Sequence, residues 1–164
     1  MKIGVISDTH LPNRARKLPK SVWNAFQDVD LIIHAGDVNA SYVLEDLELL
    51  APVKAVRGNT DNFIELKNVP RSLVFEFCGY RIGVVHGDGG KTAYNRAITA
   101  FADVELDVVI FGHSHEALLE KRGKTIYLNP GSPTNKRMAA QYSFGILSID
   151  ENGIHPEIRY FDED

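Results

Sequence analysis

Short apolar runs alternate with amphipathic stretches through the first two-thirds of the chain. Residues 2–7, 31–34 and 53–56 read as strands, and the intervening segments 21–27 and 41–50 carry apolar positions at helical spacing. This β-α-β-α-β order predicts an open, mainly parallel sheet. Ser41 precedes a stripe of Val43, Leu44, Leu47 and Leu50 that Pro52 ends, and Thr92 can cap a helix carrying Ala93, Ala97, Ile98 and Phe101. Further along, 72–77 turns through Cys78-Gly79-Tyr80 into 81–86, and 118–121 turns at Arg122-Gly123-Lys124 into 125–128. Residues 107–111 read as a buried strand, and 142–149 and 154–161 flank a Glu151-Asn152-Gly153 turn. The pattern amounts to about ten strands and three helices. No linker, repeat or low-complexity segment interrupts it, so residues 1–164 are expected to form one domain.

Composition narrows the function. A hydrophobic content of 44% suffices for a core without a metal or disulfide framework, so a metal bound here would be functional. The 18 Lys and Arg against 22 Asp and Glu give a net charge of −4 with no block of like charge, which argues against long nucleic acid as a partner. The single cysteine, Cys78, ends an apolar run and is expected in the core. No run approaches the roughly 18 apolar residues of a membrane span, and residues 3–6 are too short for a secretory leader. The expected compartment is the cytoplasm.

The metal-capable side chains fall in an order that composition does not require. Asp8 and His10 follow the first strand, Asp37 the second and Asn59 the third; His86 closes a hairpin strand, and His113 and His115 follow the buried strand. Strand carboxyl ends in α/β sheets form one rim, so residues distant in sequence can converge there. Gly36, Gly58, Gly87 and Gly112 each adjoin one of these residues and permit close backbone approach. Imidazole nitrogens with carboxylate and amide oxygens suit Mn²⁺, Fe²⁺, Zn²⁺ or Ni²⁺, and the lack of thiolate argues against a structural zinc site. Seven ligands exceed one tetrahedral ion, whereas two ions sharing Asp37 would have four each. Two divalent ions less two aspartates leave a formal +2, which matches an anionic phosphoryl group.

Taken singly, most pieces have ordinary explanations. Asp8 can cap a local turn, Gly58-Asn59-Thr60-Asp61 can be a β-turn, and a strand-end histidine such as His86 is commonly structural. Gly112-His113-Ser114-His115 is the specific piece, because two imidazoles two residues apart suit chelation better than packing. All the pieces in this order would require several coincidences. His34 and His155 are read as structural.

At these residues the chain resembles the calcineurin-like metallophosphoesterase superfamily, whose blocks are D-x-H, G-D, G-N-H-D/E, a later H and G-H-x-H. Order and spacing are similar to a compact prokaryotic phosphodiesterase group related to the eukaryotic retromer scaffold subunit. The resemblance runs over residues 3–137 and includes the Asn129-Pro130-Gly131-Ser132 turn. It implies a four-layer α/β/β/α sandwich of two mixed β-sheets flanked by helices. It also implies one metal on Asp8, His10, Asp37 and His115 and a second on Asp37, Asn59, His86 and His113, with manganese first and zinc, iron or nickel as alternatives. The implied reaction is hydrolysis of a small phosphate ester, foremost a diester, by a metal-bridging hydroxide and without a protein nucleophile. Asp37, Asn59 and His86 would act by positioning metal and phosphate, with Asn59 and Arg137 touching substrate.

Two departures matter. Thr60 stands where many relatives have a histidine thought to assist the leaving group, and Lys136 replaces a common proline before Arg137. Arg137 can hold phosphate or be a solvated loop residue. Specificity is expected from loops 11–20 and 117–124 or from a neighbouring subunit of a homo-oligomer. Because histidine must be neutral to ligate, metal occupancy and activity are expected to fall together as pH drops. The rival reading is a protein-interaction scaffold of the same fold, disfavoured because all seven ligand residues are present.

Overall fold

Alternation along β1 (Lys2–Ile6) puts Ile3 and Val5 on one face and Gly4 and Ile6 on the other, and both faces are buried. A strand covered on two sides needs a layer above and a layer below it. The computed structural model, which describes residues 1–163, supplies both. β1 pairs in parallel with β2 (Leu31–His34), which pairs in parallel with β3 (Val53–Ala55). β9 (Tyr142–Asp150) and β10 (Gly153–Phe161) extend the sheet antiparallel from β1, giving the order β10-β9-β1-β2-β3.

A second five-stranded sheet has the order β4-β5-β6-β8-β7. In it β5 (Tyr80–Val85), β6 (Val108–Ile110) and β8 (Thr125–Asn129) run parallel, with β4 (Ser72–Phe77) and β7 (Leu118–Arg122) antiparallel at the edges. Ile3, Val5 and Ile33 of the first sheet meet Val84, Val108, Ile110 and Leu128 of the second in the central core. α1 (Lys20–Ala25) and α2 (Tyr42–Glu48) cover the outer face of the first sheet through Val22, Val43 and Leu47, packed with Ile6 and Ile32. α3 (Ala93–Ala100) covers the second through Ala93 and Ala97, packed with Val109 and Phe111. The result is the four-layer sandwich implied by the resemblance, whereas strand patterning alone suggested one open sheet. Periodicity identifies strands but not their partners.

Three local expectations change. Cys78 is exposed, because it and Gly79 form the two-residue β4–β5 turn with φ of 52° and 81°, and paired left-handed residues suit a tight hairpin. Ser41 does not cap α2 through its side chain; its N–H instead donates to Glu65 Oε1 at 2.7 Å. Residues 117–124 are mostly β7, and since Leu118 pairs with Asn129 while Arg122 pairs with Thr125, the hairpin tip points away from the carboxyl-end rim. Thr92 does cap α3, accepting from the Asn95 N–H at 3.0 Å. Among the described residues no helix is long and apolar enough to cross a membrane.

Candidate metal centre

The parallel strands of both sheets deliver their carboxyl ends to one rim, where six of the seven candidate ligands converge in two groups. Ligand atoms of Asp8, His10 and His115 lie within 4.8 Å of one another, and so do those of Asp37, His86 and His113. Asp37 Oδ2 links the groups, standing 3.3 Å from His86 Nε2 and 3.6 Å from His10 Nε2. Asn59 lies in the turn after β3 with an exposed side chain, between Gly58, which packs on Asp37, and Thr60, whose N–H donates to Asp37 Oδ1 at 3.0 Å. Arg137 is exposed at the edge of this region, with a long 3.4 Å contact from Nη1 to the His113 carbonyl.

Hydrogen bonding fixes the ring orientations. His86 Nδ1 donates to the Ala35 carbonyl at 2.8 Å, and His115 Nδ1 donates to the Asn135 carbonyl, so both Nε2 atoms face the centre. Asp8 is held through Oδ2, which accepts from Ser7 Oγ at 2.6 Å and from the His113 N–H at 2.9 Å. Its Oδ1 and His86 Nε2 are buried with no hydrogen-bond partner. Each has only ion-pair contacts, the shortest being His86 Nε2 3.3 Å from Asp37 Oδ2 and Asp8 Oδ1 3.3 Å from His115 Nε2, and buried oxygens and imidazole nitrogens that face one space without hydrogen bonds suit metal donation.

Backbone geometry tells the same story. Asp8, His10, Asp37, His113 and His115 all have φ between 46° and 71°, the left-handed region disfavoured for residues with a Cβ. Such residues cluster at functional sites because surrounding structure must hold them there. Here the Asp8 N–H donates to the Gly36 carbonyl at 2.9 Å and the His10 N–H to the Asp37 carbonyl at 3.0 Å. At Gly112 any Cβ would collide with Ser7 Oγ and stand 2.6 Å from Asp8 Oδ2, so only glycine lets the β6 end approach the β1 end.

The centre is electrostatically tense. Burial opposes ionisation of Asp8 and Asp37, yet His115 and His86 hold Asp8 ionised and His86 with Thr60 holds Asp37 well below the usual carboxylate range. Burial disfavours a charged His86, but Asp37 and Asp8 outweigh it and lift the imidazole to about 9. A divalent ion would therefore displace a proton while taking over the neutralising role.

Several supporting residues were not anticipated. Asp61 accepts from the N–H groups of Gly58, Asn39 and Asp37 at 2.7, 2.7 and 3.0 Å, joining the loops after β2 and β3. Its place in the Gly58-to-Asp61 block was visible, but the cross-loop bonds were not. Ser132 Oγ donates to the Asp8 carbonyl at 2.8 Å and Thr134 Oγ1 to the Thr9 carbonyl at 2.6 Å, fastening the turn after β8 to the loop after β1. Thr60 Oγ1 donates to Asn39 Oδ1 at 2.8 Å and lies 3.4 Å from His10 Nδ1, so it supports the His10 imidazole from behind.

His34 is structural, as expected. It is fully buried, receiving the Gly36 N–H on Nδ1 at 3.2 Å and lying 2.9 Å from Thr9 Oγ1 through Nε2. Burial is the main cause that drops its pKa from 6.5 to about 3. The native state keeps it neutral while the unfolded chain protonates it below about 6.5, so its contribution is present above that pH and is lost as pH falls toward 3. Between pH 7 and 4.5 this amounts to about 2 to 3 kcal/mol. Urea denaturation at the two pH values should show a His34→Gln variant less acid-sensitive by that amount; equal sensitivity would contradict a neutral buried imidazole. His155 is exposed and pairs with Asp150 at 3.0 Å.

Comparison with known proteins agrees with this geometry. A family model described as the calcineurin-like phosphoesterase superfamily domain matches residues 1–152. A probable metallophosphoesterase of Methanothermobacter thermautotrophicus is 42% identical over 163 residues, covering 96% of this chain and 91% of its own. A phosphodiesterase of Methanocaldococcus jannaschii is 32% identical over 145 residues, covering 80% and 83%. Zinc-complexed Vps29 of Entamoeba histolytica shares the fold, with a TM-score of 0.75 over 99% of this chain and 100% of its own at 22% identity. The chain belongs to the calcineurin-like phosphoesterase superfamily.

Proposed function

We propose that this chain hydrolyses small phosphate esters, diesters foremost, using two divalent ions. One ion would be held by Asp8, His10, Asp37 and His115, the other by Asp37, Asn59, His86 and His113. The observation that carries the reading is the pair of buried atoms without a hydrogen-bond partner, Asp8 Oδ1 and His86 Nε2, within two tight groups of side chains that could hold a metal ion. When bound, the ions lower the pKa of water and neutralise phosphoryl oxygens. The chain's own part is to fix geometry: Ala35 and Asn135 aim the histidines, Asp61 locks the turns that carry Asp37 and Asn59, and the exposed Arg137 would meet a phosphoryl oxygen of the substrate. Thr60 in place of the usual histidine takes away the obvious general acid, which favours esters with good leaving groups. Manganese is the first choice of metal; the thiolate-free donor set, which mixes imidazole nitrogens with carboxylate and amide oxygens, admits zinc, iron or nickel.

The test is hydrolysis of bis(p-nitrophenyl) phosphate and p-nitrophenyl phosphate by protein stripped with chelator and resupplied with each ion. Metal-restored turnover, faster on the diester, is expected. Folded protein that binds two equivalents yet turns over neither ester would favour the scaffold reading.

A further inference from the structure

Beside His10 a cleft of about 310 Å³ opens on the outer side of the metal centre. Arg14 and Arg137 line it together with Asn13, Asn39, Asn135 and Thr60, and no lining side chain is a carboxylate. Its chemistry is thus the opposite of the acidic centre next door: cations and amide donors, suited to an anion. Among the described residues the Arg14 guanidinium has no hydrogen-bond or ion-pair partner. It belongs to a segment, residues 10–27, with Arg14, Arg16, Lys17 and Lys20 and no acid, in a chain whose net charge is −4. Local positive potential is therefore concentrated at one lip of the site.

The walls are tied to the metal-binding side chains. The Arg14 N–H donates to the His10 carbonyl at 3.0 Å, the Asn135 carbonyl accepts from His115, and Thr60 connects Asn39 to Asp37. An anion held here would sit at a fixed offset from a phosphoryl group at the centre. The volume is at the small end for ligand sites, enough for a phosphate on a short arm.

We propose that this cleft is a second-phosphate subsite, with Arg14 as its specificity-determining residue, and that the preferred substrates are esters carrying a further phosphate beyond the one attacked. The proposal rests on the phosphoesterase reading of the centre for its meaning, but its binding chemistry can be measured separately. Manganese-loaded wild type, Arg14→Gln and Arg122→Gln would be titrated calorimetrically with thymidine 5′-phosphate and thymidine 3′,5′-bisphosphate. Arg122, at the opposite end of β7, controls for a general loss of positive charge. The bisphosphate should bind wild type about tenfold tighter, a preference that Arg122→Gln keeps and Arg14→Gln brings close to one. Equal or undetectable binding of the two ligands by wild type, or an undiminished preference in Arg14→Gln, overturns the subsite. Failure to turn over bis(p-nitrophenyl) phosphate, which has no second phosphate, would count against the enzyme and not against the subsite.

Discussion

Asp37→Asn protein should fold, lose about one equivalent of bound metal, and hydrolyse a phosphodiester at least about a thousandfold more slowly than wild type. Asp37 Oδ2 is the carboxylate oxygen that faces both groups, 3.6 Å from His10 and 3.3 Å from His86. An asparagine is nearly the same shape, and its amide oxygen can still accept the Thr60 N–H. What it cannot supply is the charge that offsets a second cation or that holds His86 protonated when metal is absent. The fold should thus survive a change that disables the centre. Metal content by emission spectroscopy, circular dichroism and diester turnover on the same preparation separate these effects. Undiminished metal content would sink the bridging role, and a collapsed fold would mean that the charge is needed for structure first.

The parts of this molecule readable in sequence were those that depend on local chemistry. All ten strands and three helices appear near their expected places because alternation and helical stripes report burial directly. Gly112-His113-Ser114-His115 pointed to chelation because no packing argument explains two imidazoles beside a glycine. The division into two sheets was legible only through the family resemblance, since β9 joins β1 across nearly the whole chain and nothing in either strand names its partner. Asp61 was missed for the same reason: its three bonds are to the backbone of other loops, and backbone donors leave no mark on sequence. Cys78 was misplaced because an apolar run was extended one residue into a turn whose geometry overrides hydrophobicity.

The same contrast bears on how the centre is held. Five candidate ligands sit in left-handed backbone, each costing on the order of 1 kcal/mol, and each is tied to a neighbouring loop, four through their own N–H and His115 through its ring. Asp61, Ser132 and Thr134 therefore do for the backbone what Ala35 and Asn135 do for the imidazoles. Such a rim can be ready for metal without first rearranging.

Gly58→Ala tests that rigidity and should be strongly damaging. A Cβ at this position would overlap Asp37 Oδ1 and stand 2.5 Å from the Asp37 backbone nitrogen. Neither side can retreat easily. The Gly58 N–H is bound to Asp61 Oδ2, its carbonyl accepts from Arg71 Nη1 at 3.0 Å, and the Asp37 N–H is bound to the same Asp61 carboxylate. Overpacking of this kind costs about 3 kcal/mol, which for a chain of this size lowers the melting temperature by roughly 10 °C. Gly123→Ala is the instructive comparison: its φ is 61° but nothing lies within 4 Å of a Cβ there, so it should lose only about 1 kcal/mol through backbone conformation. Thermal unfolding of both variants in chelator and in Mn²⁺ separates the effects. Gly58→Ala should also lose most of the stabilisation that metal gives wild type, because the displaced carboxylate is the one proposed to be shared, whereas Gly123→Ala should keep it. If Gly58→Ala melts like wild type and responds fully to metal, the turn after β3 is more yielding than its bonds imply, and the rim is assembled by the metal instead of waiting for it.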